Sequence, residues 1–284
     1  MSSVSVITSI FNESEDLFRE CAQSISKQRT NFEWIVVDDG SSEFYRNTYT
    51  SILNNVTPQV HVVYLRLDKN FGLSVARNQG INIAKGDWIV VLDSDDRLAE
   101  ETIETIKRTR FGTSLISFDS SYFSDKSSEY RSISIFRDLF KQYGKSTLDP
   151  FLWFDFYYHG IIVRRDVLQR IGCYREELRI GEDQDILLRT IESLRKNQVL
   201  FISKLGYEYR NNPKGVCATQ WNEVRKNYEV TMLEAAKRRG GLFVSCRYSG
   251  AKVIAGASVD CYEYGLPDGQ WVNWDSYKES CADF

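Results

Sequence analysis

At 284 residues, with 42% hydrophobic and 26% charged residues, the chain has ordinary globular composition and can bury a sizeable core, as one large domain or a domain plus an extension. A net charge of −3 gives no case for a nucleic-acid partner or a membrane surface, and no run approaches the length of a membrane span. The start of the chain lacks the basic-then-apolar shape of a signal peptide, and the six cysteines are scattered without a CxxC pair, which argues against zinc and suits a reducing cytoplasm.

In chain order, Val4 to Ser9 is apolar and β-branched and reads as a strand. An amphipathic helix is expected from Ser14 to Gln28, with Leu17, Cys21 and Ile25 on one face. Phe32 to Val37 reads as the second strand and ends in Asp38-Asp39-Gly40-Ser41-Ser42. Val60 to Leu67 is the third, followed by a helix from Leu73 to Ala84 closed by Gly86. This alternation implies a mostly parallel sheet covered by helices. Three strands end in polar groups (Asn12 and Glu13, Asp38 and Asp39, Asp93 to Asp96), as expected where one ligand crosses the carboxyl edge of such a sheet. From Asp119 to Tyr158 the pattern weakens. Gly160 to Val163 then reads as a strand, Asp166 to Ile171 as a short helix, and Gly181-Glu182-Asp183-Gln184-Asp185 opens a longer helix through Leu194. Trp221 to Arg239 reads as helical, and the rest is rich in Gly, Tyr and Trp without a clean period.

The most telling stretch is Trp88-Ile89-Val90-Val91-Leu92-Asp93-Ser94-Asp95-Asp96, a strand-like run ending in three carboxylates. Carboxylates this close repel one another unless a cation neutralises them, and hard oxygen donors favour Mg²⁺ or Mn²⁺ completed by water and substrate phosphates. The bland alternative is a solvated acidic turn.

Five strings stand in order along the chain. They are Val4-Ser5-Val6-Ile7 leading to Phe11-Asn12-Glu13, then Val37-Asp38-Asp39-Gly40-Ser41, then Asn70-Phe71-Gly72 with Ala76-Arg77-Asn78-Gln79-Gly80-Ile81. Leu92-Asp93-Ser94-Asp95-Asp96 and Gly181-Glu182-Asp183-Gln184-Asp185 complete the set. Together they make this chain resemble the family 2 glycosyltransferases, inverting enzymes of GT-A fold that use nucleotide-activated sugars. Ser9 and Phe11 stand where the family usually has Pro and Tyr. The resemblance covers roughly residues 3 to 212. It implies an α/β GT-A fold over 1–212, with a nucleotide-sugar-binding half at 1–98 and an acceptor half at 99–212, and a helical, aromatic C-terminal extension at 213–284.

The resemblance also implies roles. Thr8 and the loop Phe11, Asn12, Glu13 would line the base and ribose, with Asn70, Gly72 and Ser94 in the same donor pocket and Arg77 on the diphosphate. Asp39 would accept a hydrogen bond from a base N3–H, which favours UDP, then dTDP, and disfavours cytosine. Asp93 and Asp95 would hold the Mn²⁺ or Mg²⁺ ion, with Asp96 able to replace Asp93. Asp183 would be the base that deprotonates the acceptor hydroxyl, and Glu182 beside it would bind acceptor. The competing reading for both is capping of a helix N-terminus.

Trp153, in the run Phe151 to Tyr158, offers a stacking face for an acceptor sugar, with core packing as its equal rival. His159 is open to orienting acceptor, touching phosphate or satisfying a core hydrogen bond. The C-terminal segment, with Trp271, Trp274 and Tyr277, is open to closing over the acceptor or to a homodimer contact. The expected partners are a nucleotide-sugar donor and a hydroxyl acceptor (a saccharide, a lipid-linked saccharide or a small molecule), met in the cytoplasm or at the inner face of the membrane. Two rivals stand against this. A nucleotidyltransferase should carry a Gly-rich basic loop where this chain has Ser9-Ile10-Phe11-Asn12-Glu13, and a silent scaffold should have lost Asp95 or Asp183.

Overall fold

The computed structural model describes residues 2–124, 127–131, 162–213, 215–254 and 257–273. Trp153 and His159 lie outside the described residues, as do Trp274 and Tyr277. Contacts divide the chain into two compact units: Met1–Ser134 with His159–Arg179 and Ser193–Asn211, and Ile135–Tyr158 with Ile180–Glu192 and Asn212–Phe284. The last stretch of the second unit starts at Asn212, and the helix opened by Gly181 belongs with that unit.

The first unit is α/β. Its strands are β1 (Val4–Ile10), β2 (Phe32–Asp38), β3 (Val60–Arg66), β4 (Trp88–Val91), β5 (Arg97–Leu98), β6 (Leu115–Phe123), β7 (Ser128–Arg131), β8 (Ile162–Arg164) and β9 (Val199–Arg210). Five helices belong with these elements: α1 (Glu15–Ser26), α2 (Glu43–Leu53), α3 (Leu73–Ile83), α4 (Thr102–Lys107) and α5 (Arg165–Arg170). The sheet runs β3-β2-β1-β4-β8-β6-β9-β5, with β7 paired to β6. β3, β2, β1 and β4 are mutually parallel, and β8 enters antiparallel to both β4 and β6.

Burial on both faces explains the unbroken apolar reading of β1, β2 and β4. Val6, Trp34 and Val36 point to the side where Phe18, Cys21, Ala22 and Ile25 of α1 complete the core. Ile7 and Val37 point the other way, onto Gly80 of α3, where an added Cβ would stand 2.6 Å from an Ile7 methyl. Ser14 caps α1 by accepting the Leu17 amide at 3.4 Å, and Glu15 and Asp16 follow in the dipole-favoured first turn. Each fully buried aromatic such as Trp34 or Phe18 adds about 1.5–3 kcal/mol through area alone.

In the second unit, α6 (Glu182–Ser193) and α7 (Val216–Thr219) precede α8 (Trp221–Arg238) and a three-stranded antiparallel sheet, β10 (Ser245–Ile254), β11 (Ala257–Gly265) and β12 (Trp271–Val272). Val224, Tyr228, Met232, Ala235 and Ala236 line the face of α8 that packs with Leu188, Phe243, Tyr262 and Tyr264. The extension expected to be helical is therefore half sheet. Its period is hidden because the β10–β11 register shifts between Tyr248 and Gly250, which breaks the alternation.

Candidate active site

The order β3-β2-β1-β4 places the switch point of the parallel sheet at β1, with β2 on one side and β4 on the other. Ligands of open α/β sheets bind outside the carboxyl ends of the strands at such a point. The loops that leave those ends here are Phe11–Glu13, Asp39–Ser42 and Asp93–Asp96. They are joined by hydrogen bonds. The Asn12 amide donates to Ser41 Oγ at 2.9 Å, the Ser42 amide donates to Asn12 Oδ1 at 3.0 Å, and Ser94 Oγ donates to Glu13 Oε2 at 3.1 Å. Asn12 sits at φ +48°, a left-handed conformation that asparagine tolerates and that turns the loop back toward Ser41.

The two aspartates after β2 have different tasks. Asp38 is fully buried; it accepts the Ser41 amide at 2.8 Å, the Tyr64 hydroxyl at 2.6 Å and Arg66 Nη1 at 3.0 Å, so it braces the turn from beneath. Asp39 reaches across to the loop before α3, where its two carboxylate oxygens accept the Phe71 and Gly72 amides at 2.8 Å each. Burial pushes the Asp39 carboxyl above its ordinary range, against the pull of those two amides. Each oxygen keeps a second lone pair for an incoming donor. Gly72 is at φ +102°, a backbone state that suits glycine and lets the chain enter α3 while its amide points at Asp39.

After β4, Asp93 is half exposed, and its carboxylate is held by Nη2 of the buried Arg77 at 2.7 Å. The Arg77 guanidinium lies over the Tyr174 ring, 5.3 Å from its centroid. Asp95 stands partly exposed beside it, and its carbonyl accepts Arg210 Nε at 2.9 Å. Asp96 turns the other way, into the protein. Its oxygens accept the Tyr207 hydroxyl at 2.7 Å and the Arg210 amide at 2.6 Å. Burial, with Asp95 and Asp93 close by, pushes its carboxyl well above the usual range. Each Asp96 oxygen thus carries one hydrogen bond from β9, and its standing in for Asp93 on a cation remains a proposal. The Thr8 side chain is fully buried and its hydroxyl accepts the Trp34 indole N–H at 3.0 Å.

Among the described residues, no group of three His, Cys, Asp or Glu side chains converges on a metal position. Asp93 and Asp95 offer hard oxygen donors at the exposed edge, which fits a Mg²⁺ or Mn²⁺ ion only if ligand oxygens and water supply the rest of its shell. Phe11 is exposed at the same edge. Sequence reasoning missed Tyr207 and Arg210, which anchor Asp96 from more than a hundred residues downstream, and Tyr64 and Arg66 under Asp38. No local pattern announces either set.

In the second unit, Glu182 and Asp183 open α6 after Gly181 at φ +83°. Asp183 Oδ1 accepts the Gln184 amide at 2.8 Å, a bond within the helix's first turn. Glu182 is buried, and Asp185 is a buried partner of Arg189, whose Nη2 stands at 2.6 Å. Gln184 is fully buried and takes the Thr231 hydroxyl of α8, which fixes the start of α6 on that helix.

The family description Glycosyl transferase family 2 matches residues 5–172, more than half of the chain. This chain belongs to that family. It is 26% identical to glycosyltransferase GlyA of Streptococcus pneumoniae over 94% of this chain and 38% of that protein. Succinoglycan biosynthesis protein ExoO of Rhizobium meliloti is 28% identical over 65% of this chain and 54% of its own length. The chain thus spans about half or less of these family relatives. Among solved structures, S. aureus TarS 1-349 in complex with UDP-GlcNAc matches at TM-score 0.60 and 19% identity, over 81% of this chain and 66% of that one. Mannosyltransferase PcManGT of Pyrobaculum calidifontis, in complex with GDP-Man and Mn²⁺, matches at TM-score 0.60 and 18% identity, over 84% and 64%. At these identities the likeness is one of fold. No described helix is long and apolar enough to cross a membrane.

Proposed function

We propose that this family 2 chain transfers one sugar from a nucleotide-sugar, UDP-linked first and dTDP-linked next, to a hydroxyl acceptor with inversion, using Mn²⁺ or Mg²⁺. The observation that carries the reading is the hydrogen-bonded meeting of the Asn12–Glu13, Asp39–Ser42 and Asp93–Asp96 loops at the switch point of the sheet. In this reading Asp39 spends one lone pair of each oxygen on the Phe71 and Gly72 amides and offers another to a base N–H. Phe11 and Asn12 flank the nucleoside, and Arg77 supplies positive charge at the diphosphate while holding Asp93. A divalent ion on Asp93 and Asp95, completed by donor oxygens and water, would act as a Lewis acid on the departing diphosphate.

Asp183 on α6 is the proposed base for the acceptor hydroxyl, with Glu182 beside it on the acceptor. Trp153 and His159 stay proposals for the acceptor side. Saccharides, lipid-linked saccharides and small hydroxylated molecules all fit this chemistry.

A thermal-shift titration tests the donor side, using UDP, dTDP, GDP and CMP with and without Mn²⁺, on the wild type and on Asp95→Asn. A ligand at about a hundred times its dissociation constant stabilises the fold by about 2.7 kcal/mol. The expected result is a Mn²⁺-dependent UDP shift lost in Asp95→Asn. No shift with any nucleotide would refute the reading and favour a silent scaffold.

A further inference from the structure

We infer that Arg179 is a specificity-determining residue of the donor site, pairing with Asp39 to read a base edge of the form O=C–N–H. The inference rests on the donor reading of Asp39 given above.

Arg179 belongs to the first unit and is exposed, yet its position is set by hydrogen bonds from one face of α3 to the segment before it. Asn78 grips the backbone of Tyr174, accepting its amide at 2.9 Å and donating to its carbonyl at 2.9 Å, and the same amide donates to Glu176 at 3.1 Å. One turn earlier, Ser74 Oγ donates to the Leu178 carbonyl at 2.9 Å. The segment 174–178 is thereby laid along the helix toward its N-terminus, and the next residue delivers its guanidinium to Gly72. A Cβ on Gly72 would stand 3.3 Å from Arg179 Nη1 and 3.7 Å from Cζ. The Gly72 amide is one of the two donors on Asp39. A carboxylate acceptor and a guanidinium donor therefore flank one glycine, and Arg179 lies close enough to Asp39 to favour its ionised form.

An acceptor beside a donor selects its complement. Uracil and thymine present N3–H to a carboxylate and the adjacent C4 carbonyl to a guanidinium, and guanine presents N1–H and O6 in the same arrangement. Cytosine offers a bare ring nitrogen and an amino group in those places, so both contacts become repulsive or unpaired. Asp39 alone tests one atom of that edge. The pair tests two, and it tests them at fixed spacing because Ser74 and Asn78 hold the arginine's backbone.

The decisive measurement is calorimetric titration of UDP and CDP, matched in size and charge, into the Mn²⁺-loaded wild type, Arg179→Met and Arg179→Lys. Arg179 is exposed, so the variants should fold with unchanged melting temperature. Arg179→Met should weaken UDP by about tenfold or more, in the range of a lost charged hydrogen bond, and leave CDP nearly unchanged. Arg179→Lys, with a donor of different geometry, should fall between the two. Equal losses for UDP and CDP would overturn the inference in favour of a contact to the diphosphate, and an unchanged UDP affinity would overturn it outright. A wild type that binds neither nucleotide would instead refute the donor reading beneath it.

Discussion

Replacing Asp38 by alanine isolates the device that holds the proposed nucleotide side of the site from below. In the wild type three donors converge on a fully buried carboxylate: the Ser41 amide, the Tyr64 hydroxyl and Arg66 Nη1. Arg66 keeps a quarter of its side chain exposed and has a second partner in Glu43 at 3.2 Å, so it can turn to solvent. Ser41 is buried and its amide has no such exit. Removing one member of a buried charged network costs about 3–5 kcal/mol, because the groups left behind lose desolvation already spent. At about 2–4 °C per kcal/mol for a unit of this size, the melting temperature should fall by about 6–20 °C. Scanning calorimetry on cation-free protein gives that number directly. Asp38→Asn keeps an acceptor for Ser41 and should lose less. Tyr64→Phe, deleting a single hydroxyl, should lose about 1 kcal/mol. Donor affinity should fall with Asp38→Ala as well, because Ser41 carries the Asn12 amide. A loss below about 1 kcal/mol in Asp38→Ala would refute the bracing role.

Three other outcomes are expected. Asp183→Asn should bind UDP as the wild type does yet slow transfer by about 10²–10⁴-fold, the usual worth of a general base; near-normal turnover in a radiolabelled transfer assay removes Asp183 from that role. Gly80→Ala gains about 1 kcal/mol of helix propensity but forces a methyl to 2.6 Å from Ile7, and overpacking of about 1–3 kcal/mol should win. Urea unfolding should then show a smaller cost for Gly80→Ala in an Ile7→Ala background, and purely additive effects would contradict the packing. Asp87 accepts the Ser3 amide at 2.9 Å, and that bond holds its carboxyl below the usual range. Its folded pKa lies below its unfolded one, so its contribution is present above about pH 4 and is lost as pH falls through the folded value. Asp87→Asn should therefore flatten the acid limb of a stability–pH curve, and superimposable curves would exclude the effect.

What could be read from the sequence was whatever the backbone announces locally. β1, β2 and β4 were legible because Val, Ile and Trp fill strands buried on both faces, and α1 because Leu17, Cys21 and Ile25 recur four apart after Ser14, although the structure buries Phe18 on that face and leaves Leu17 half-buried. α2 escaped because only Tyr49, Ile52 and Leu53 of its eleven residues are buried, which leaves a weak stripe. β6 escaped as well, since Asp119 interrupts its apolar run, a polar residue that is buried in the strand and takes the Tyr130 hydroxyl from β7. β9 carries half-exposed residues along most of its length and hides its alternation. In the site, the acids themselves were legible, but which way each one faces was not. Asp93 and Asp96 differ by three positions and by everything else, because Arg77 holds one at the edge and Tyr207 and Arg210 draw the other inside.

The anchoring of Asp96 by β9 also orders events in time. Tyr207 and Arg210 follow it by 111 and 114 residues, so a growing chain will have emitted every acidic motif of the first unit long before the groups that seat the third carboxylate exist. Closing so long a loop is slow, and its entropy is recovered only when β5 and β9 pair, Arg97 against Glu208 and Leu98 against Tyr207. Until then a carboxylate meant for the interior faces water beside two others. The acidic edge of the sheet is therefore finished late in synthesis, and a ribosome-bound fragment ending at residue 98 would display the motifs without the architecture that seats them.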